Sequence, residues 1–128
     1  MGNPWIGVDL DGTLAHIDND QWAKLGNQFV GPPVEKMLER VKYWLADGVE
    51  VRIVTARVSL EDKNNQSVRR PIVAWCIYHI GRELPITNEK DYDMLLLYDD
   101  RCRQVEENTG RIIGEESDNT GERVDGGE

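Results

Sequence analysis

The sequence predicts an α/β fold, a Rossmann-like three-layer α/β/α sandwich with a mainly parallel sheet and helices on both faces. Short apolar segments alternate along the chain with segments of helical periodicity, and turn-forming residues separate them. Each apolar segment is nearly continuous in hydrophobic residues, which is typical of strands buried on both faces of a parallel sheet. A chain of 128 residues is long enough for one such domain.

The first predicted strand and helix lie in the amino-terminal part of the chain. Residues 4–10 are an apolar run that ends at an Asp-Gly turn, which suits a buried strand. A helix is predicted over residues 34–45, because prolines precede it and Asp47-Gly48 follows it. Its apolar residues recur at helical spacing: Val34, Met37, Leu38, Val41 and Leu45.

The remaining predicted elements continue the alternation. Residues 49–55 are rich in β-branched side chains and form the second predicted strand. A second helix ends at Gly81, and the residues on its apolar face are Val68, Ile72, Trp75, Cys76 and His79. Further along, the sequence predicts a brief strand at 85–87, an apolar strand at 94–98, a short helix at 101–108 and a last strand at 111–113.

Acidic residues are concentrated at the carboxyl end. The formal net charge is −9, and residues 114–128 contribute six acids and one arginine to it. This segment has a single aliphatic side chain, too few to offset the entropy of ordering, so we predict a folded domain at 1–113 and a disordered acidic tail at 114–128. The acidity argues against a protein that coats nucleic acid or an anionic membrane. Because the sequence has no membrane-length apolar run and no secretory signal, we expect a cytoplasmic protein.

Charged and hydroxyl side chains flank the predicted strands. Ligands bind beyond the carboxyl ends of parallel strands, so these side chains are expected to gather at one edge of the sheet. They are Asp9, Asp11, Thr55, Arg57, Lys90, Asp99, Asp100 and Arg101. Two carboxylates about 4 Å apart repel each other by roughly 4 kcal/mol at an effective dielectric constant near 20, so the acids require a cation. All-oxygen ligands of this kind suit Mg²⁺.

The residue types at this edge match the needs of phosphoryl transfer. A carboxylate such as Asp9 can act as the nucleophile and form an aspartyl phosphate. Asp11, two residues on, can protonate the leaving group and later deprotonate the attacking water. Lysine and arginine side chains suit the phosphoryl oxygens. The sequence therefore predicts a Mg²⁺-dependent phosphomonoester hydrolase whose partner is a phosphorylated substrate.

Four segments resemble, in order, the motifs of the haloacid dehalogenase (HAD) superfamily of phosphohydrolases. They are IGVDLDGTLA at residues 6–15, RIVTAR at 52–57, a lysine best matched by Lys90, and LLLYDD at 95–100. The resemblance implies a role for each matched residue: Asp9 as nucleophile and metal ligand, Asp11 as acid/base with its backbone carbonyl on the metal, Thr55 and Lys90 on the phosphoryl group, and Asp99 and Asp100 completing the metal site. Lys63 lies in the same stretch between motifs and remains an alternative to Lys90.

The sequences VTAR and YDDR further resemble the phosphatase domain of polynucleotide kinase/phosphatase, which removes 3′-phosphates from nucleic-acid ends. This likeness implies that Arg57 and Arg101 bind substrate, and that the substrate is a nucleic-acid or nucleotide 3′-phosphate. Only 18 residues separate Thr13 from Pro32, too few for the cap domain of many relatives, so we expect a capless site. The alternatives are a small-metabolite or 5′-nucleotide phosphatase and a non-catalytic binding or regulatory protein with the same fold.

Some residues near the motifs fit two interpretations. Trp22 and Phe29 follow the first motif and can stack on a substrate base, but anchoring their loop to the core is the favoured interpretation. Arg57 and Arg101 fit phosphate contact and surface ion pairs equally well. The sequence alone leaves these alternatives open.

Overall fold

A computed structural model describes residues 2–61 and 67–115. Their strands and α-helices follow the order β1 (Trp5–Asp9), α1 (Asn19–Leu25), α2 (Glu35–Ala46), β2 (Glu50–Val54), α3 (Arg69–Ile80), β3 (Ile86–Thr87) and β4 (Met94–Tyr98). Short 3₁₀ turns follow α1 and β2, at Gly26–Gln28 and Ala56–Leu60. Within the described ranges, no helix has both the length and the apolar character needed to cross a membrane.

The strands form one parallel sheet in the order β3-β2-β1-β4. β1 is an interior strand, and its Val8 is paired with Ile53 of β2 and Tyr98 of β4. The predicted α/β class and parallel sheet are therefore confirmed. Since the strands run in one direction, the residues that follow β1, β2 and β4 meet at the same edge of the sheet.

The hydrophobic core lies between one face of the sheet and the helices α2 and α3. The strands contribute Val8, Val51 and Ile53, which share one face of β1 and β2. The helices contribute Met37, Leu38, Val41, Ile72, Trp75 and Cys76. In the sheet, β2 lies next to β1, and β3 lies next to β2 on the side away from β1. Because connections between parallel strands are right-handed, α2 and α3 lie on the same face of the sheet.

Part of the opposite face is covered by side chains and by the connection from β3 to β4. Trp5 projects to this face and is 0% exposed, with the Arg52 guanidinium 4.3 Å from its ring centre. Asp91 of the connection accepts hydrogen bonds from Trp5 Nε1 at 2.8 Å and from Arg52 Nη1 at 3.3 Å. Gly7 leaves room for the ring, because a Cβ there would lie 3.1 Å from Trp5 Cζ3 and 2.9 Å from Val54 Cγ2.

The two long helices of the described residues thus pack on one face of the sheet, and the three-layer sandwich stays a prediction. The connection over residues 88–93 crosses from one edge strand to the other, three strand spacings of about 4.8 Å each. A helix advances only about 1.5 Å per residue, so a connection of this length reaches β4 only when it is extended.

The predicted helix over residues 101–108 is wrong, because these residues contain no helix. Val105 and Ile112 form an isolated antiparallel bridge, and the predicted strand at 111–113 is reduced to that bridge. Asn108 and Gly110 have φ values of 68° and 84°, which a right-handed helix does not accommodate. The turn between the two bridged residues therefore overrides the helical spacing of the sequence.

α1 lies in a segment for which the sequence predicts no helix. The helix has no buried residue, so it lacks the apolar periodicity that would indicate it. Its N-cap, Asp18, accepts hydrogen bonds from the backbone N–H groups of Asp20 and Gln21, each at 3.1 Å. Of the predicted tail, the described ranges include only Gly114 and Glu115.

Candidate active site

The loop after β1 turns back on itself and fixes the first motif at the edge of the sheet. Leu14 and Ala15 donate backbone N–H groups to the carbonyl of Leu10, at 3.0 Å and 2.9 Å. Gly12 permits the turn with a φ of 91°, which residues other than glycine rarely adopt. A Cβ at Gly12 would lie only 2.6 Å from Asp100 Oδ2, so the glycine also allows the end of β4 to approach the loop.

Thr13 connects this loop to the residues that follow β4. Its Oγ1 lies 2.8 Å from Asp100 Oδ1, to which it donates, and accepts a 2.8 Å hydrogen bond from the Asp100 backbone N–H. Asp9 Oδ2 lies 3.4 Å from the same hydroxyl. A buried threonine four residues after Asp9 thus holds two aspartates of different motifs close together.

The carboxylates of Asp9, Asp99 and Asp100 form a cluster, in which one oxygen of each lies within 4.8 Å of the others. Burial, the charge of Asp99 and the adjacent Asp100 together raise the pKa of Asp9 to about 7. Burial also opposes ionisation of Asp100, but hydrogen bonds from Thr13 and Asp9 outweigh it and lower the pKa of Asp100. Among the described residues, no lysine or arginine forms an ion pair with these three acids. The carboxylate cluster is therefore crowded with negative charge.

Asp11 differs from the cluster because it has a cationic partner. Arg57 donates from Nε to Asp11 Oδ2 at 2.9 Å and from Nη2 to Asp11 Oδ1 at 2.8 Å. Arg57 is only 4% exposed, its Nη1 donates to the carbonyl of Asn27 at 3.4 Å, and its guanidinium lies 4.8 Å from the ring centre of Trp22. A bidentate ion pair of this kind fixes the orientation of the carboxylate. The contact of Arg57 with substrate stays a prediction.

Thr55 lies directly after β2 and is 2% exposed. Its Oγ1 accepts a hydrogen bond from the Arg57 backbone N–H at 3.1 Å, and its own N–H donates to the carbonyl of Thr87 at 2.9 Å. These bonds join the ends of β2 and β3 and fix the backbone that carries Arg57. Since the Thr55 oxygen acts as an acceptor here, its O–H remains available to a ligand in the cleft.

One cleft of about 860 Å³ lies at this edge of the sheet. The predicted residues that line it are Asp9, Asp11, Thr55, Arg57, Asp99 and Arg101, and Asp100 joins them through the carboxylate cluster. Arg101 is exposed and is in none of the ion pairs of the described residues, although its charge helps to lower the pKa of Asp100. Arg101 is therefore available to bind an anion, whereas Arg57 is already paired.

The structure does not bring Lys90 to this cleft. Lys90 is exposed on the connection from β3 to β4, and Asn88, two residues earlier, lines the cleft instead. Lys63 lies outside the described residues. The identity of the catalytic lysine therefore stays a prediction for both positions.

Sequence reasoning missed several residues of the cleft. Ser59, Leu60 and Asn88 line it although no motif includes them. The link between Thr13 and Asp100 joins residues 87 positions apart, and no local pattern indicates such a pair. The threonine of the DGT sequence itself was the one available signal.

Comparisons of the chain with models of protein families, with curated proteins and with solved structures found no match. The interpretation of the cleft therefore depends on its own residues and their geometry. The most specific features are the carboxylate cluster and the bidentate pair of Asp11 with Arg57.

Proposed function

We propose that this chain is a capless phosphohydrolase of the HAD superfamily, which hydrolyses phosphomonoesters with Mg²⁺ through an aspartyl phosphate on Asp9. The observation that carries the proposal is the juxtaposition of two differently held aspartates at one end of β1. Asp9 belongs to the carboxylate cluster, and Asp11 is oriented by Arg57. A nucleophile and a separately positioned acid/base are what a two-step phosphoryl transfer requires.

The donor set of the carboxylate cluster fits Mg²⁺. Asp9, Asp99 and Asp100 offer oxygen atoms close enough to share one ion. Magnesium prefers one or two carboxylates together with water and phosphate oxygens. The raised pKa of Asp9 reflects burial first and then repulsion by Asp99 and Asp100, and a bound divalent cation would oppose both effects. When bound, Mg²⁺ would neutralise the carboxylates and the charge on the phosphoryl oxygens.

In the first step, an oxygen of Asp9 attacks phosphorus and the ester P–O bond breaks. Asp11 gives a proton to the departing oxygen, held in place by its two bonds to Arg57. The Thr55 hydroxyl and the Arg101 guanidinium line the cleft and are the groups available to hydrogen-bond the phosphoryl oxygens. We propose that a lysine, Lys90 or Lys63, adds a further cation, and substitution of each lysine in turn identifies which one.

In the second step, water attacks the phosphorus of the aspartyl phosphate. Asp11 takes a proton from this water, the bond from Asp9 to phosphorus breaks, and inorganic phosphate leaves. Asp11 thus ends the cycle protonated, as it began. Because Asp11 serves both steps, its carboxyl group must face the reacting phosphorus in each of them. The ion pair with Arg57 fixes the orientation of Asp11, which is consistent with this role.

The substrate class that we propose is a nucleotide or nucleic-acid 3′-phosphate. The likeness of VTAR and YDDR to the polynucleotide 3′-phosphatase pattern supports it, as does a cleft much larger than a phosphoryl group. The segment between the first motif and α2 contains only the short helix α1 and a turn, which supports a site without a cap domain.

The test is a panel of phosphate-release assays with Mg²⁺ or with a chelator. Its substrates are 3′-phosphorylated oligonucleotides, 5′-phosphorylated oligonucleotides, mononucleotides and sugar phosphates. We expect Mg²⁺-dependent release that is fastest from 3′-phosphates and is lost in Asp9→Asn. The matched control is Asp47→Asn, an exposed aspartate beyond α2, which should leave turnover unchanged. Equal turnover by Asp9→Asn and wild type would refute the mechanism.

A further inference from the structure

Six uncharged residues line the cleft beside its carboxylates, its two arginines and Thr55, and four of the six are apolar. The six residues are Trp22, Val54, Ala56, Ser59, Leu60 and Asn88. Trp22 is 39% exposed and Leu60 is 51% exposed, although both are large hydrophobic residues. Hydrophobic side chains that remain exposed in a concave site are typical of a surface that contacts a ligand.

Core packing does not explain the position of Trp22. α1, which carries it, has no buried residue. The loop that follows α1 is attached to the core elsewhere: Trp75 Nε1 donates to the carbonyl of Gly31 at 2.7 Å, and Val30 packs against the core. Phe29 is half-buried, whereas Trp22 remains open to the cleft. Trp22 contacts Arg57, which also bonds to Asn27 of the loop after α1, so the loop-anchoring interpretation of Trp22 stays a prediction beside the stacking interpretation.

The indole of Trp22 is nevertheless held in place. The Arg57 guanidinium lies 4.8 Å from the ring centre and covers one face of the ring. The same guanidinium is fixed by its two bonds to Asp11. The aromatic surface is therefore fixed relative to the acid/base.

We propose that Trp22 and Leu60 form a leaving-group subsite, which receives the nucleobase of a phosphomonoester whose phosphoryl group lies at Asp9. This inference rests on the proposed function, because the base can reach Trp22 and Leu60 only from a substrate whose phosphoryl group is bound at Asp9. The volume of about 860 Å³ is within the range of roughly 300–1,000 Å³ that holds nucleotide-sized ligands.

The ring can belong to a free mononucleotide or to the last base of a nucleic-acid strand. Stacking of a base on an aromatic side chain contributes about 1–3 kcal/mol, which corresponds to roughly a 5- to 150-fold change in affinity. The interaction does not depend on the identity of the base, because every base has a π-face. The subsite therefore predicts a preference for substrates with a base over the same substrates without one.

The experiment compares kcat/KM for two matched pairs of substrates in the presence of Mg²⁺. One pair is a nucleoside 3′-monophosphate and the corresponding ribose 3-phosphate. The other is a 3′-phosphorylated oligonucleotide with a terminal base and the same strand with an abasic end. We expect the wild type to favour the member with a base by about tenfold or more in at least one pair. The pair with the larger preference shows whether the cleft accepts a free mononucleotide or the last base of a nucleic-acid strand.

Trp22→Leu should remove this preference, measured as the ratio of kcat/KM within each pair, because any loss that acts through Arg57 affects both members of a pair equally. Leu60→Ser should weaken the preference less. Tyr43→Leu is the control, because Tyr43 is a 69% exposed aromatic residue outside the cleft, and it should keep the full preference.

The outcomes separate the subsite from the proposed function. Release from all four substrates with no preference for the base, or an equal loss on both members of a pair in Trp22→Leu, would overturn the subsite alone. An equal loss would mean that Trp22 serves only to support Arg57. No release from any substrate, including p-nitrophenyl phosphate, would overturn the proposed function and the subsite with it.

Discussion

The two aspartates of the DLD sequence lie two residues apart and are held in opposite ways. Asp9 lies among other carboxylates, with its pKa raised to about 7 and no cationic side chain of the described residues in an ion pair with it. Asp11 is bound at both oxygens by a buried arginine. The chain therefore supplies a cation to one aspartate and leaves the other in need of one.

This difference matches the proposed division of roles. A metal ligand and nucleophile benefits from a free lone pair and from a site that attracts a divalent ion. An acid/base benefits from a fixed direction, which a bidentate arginine provides. Changes on the carboxylate-cluster side should therefore alter the Mg²⁺ dependence, whereas changes on the Arg57 side should alter the dependence on the leaving group.

Loss of an acid from the cluster is expected to have the largest effect. In Asp100→Asn the half-saturating Mg²⁺ concentration should rise about a hundredfold or more, because a ligand and its bond to Thr13 are both changed. Mg²⁺ titrations of phosphate release measure this shift, with Asp47→Asn as the control. A variant with unchanged Mg²⁺ dependence would show that the cluster is not the metal site.

Arg57→Met should lower turnover by about a hundredfold for alkyl phosphate esters, because Asp11 loses its orientation. The loss should be much smaller for p-nitrophenyl phosphate, whose leaving group needs little protonation. The half-saturating Mg²⁺ concentration should stay close to that of wild type. Arg82→Met, at an exposed arginine outside the cleft, is the control. An equal loss on both ester types would contradict a positioning role for Arg57.

Gly12→Ala should weaken Mg²⁺ binding by about tenfold, since its Cβ would lie 2.6 Å from Asp100 Oδ2 and displace that ligand. Gly48→Ala is a matched control for backbone strain, because Gly48 also has a positive φ, 83°, and its Cβ would meet nothing within 4 Å. Both variants should lose about 1–2 kcal/mol of unfolding free energy. If Gly48→Ala also weakened Mg²⁺ binding, the steric explanation would be wrong.

A further effect concerns stability and pH. The pKa of Asp9 is about 7 in the folded chain and about 3.9 in an unfolded one. Between these values the folded state binds more protons, so this group makes the chain less stable as pH rises from about 4 to about 7, with no further loss above. Urea unfolding in the presence of a chelator measures the free energy of unfolding of wild type and of Asp9→Asn at each pH. The difference between the two proteins gives the contribution of Asp9. If wild type became more stable relative to Asp9→Asn as pH rises, this prediction would be contradicted.

The sequence was sufficient to predict the parallel sheet and its helix-covered face, because apolar spacing is a local property. The sequence could not predict which groups lie on the opposite face of the sheet. There Trp5 bonds to Asp91, a residue 86 positions away, and Arg52 stacks on the ring. Bulky side chains and an extended connection cover a surface for which the alternation of elements predicts a helix.

The same limit applies to the site. Topology brings Asp9, Asp11, Thr55 and Asp99 to one edge, so their proximity follows from the strand ends. The partner of Arg57 does not follow, because Asp11 lies 46 positions away and an arginine after a strand can bond to substrate or to protein. The lysine was the weakest part of the pattern, and the described structure leaves its assignment open.

The central claim is that Asp9 becomes phosphorylated during turnover, and mass spectrometry of the acid-quenched protein tests it most directly. Wild type, Asp9→Asn and Asp11→Asn are incubated with p-nitrophenyl phosphate and Mg²⁺, quenched and digested. One phosphoryl group should appear on the peptide that contains Asp9, in larger amount in Asp11→Asn, where water attack is slowed, and never in Asp9→Asn. Phosphate release by the wild type with no phosphoryl group on that peptide in either wild type or Asp11→Asn would contradict the account.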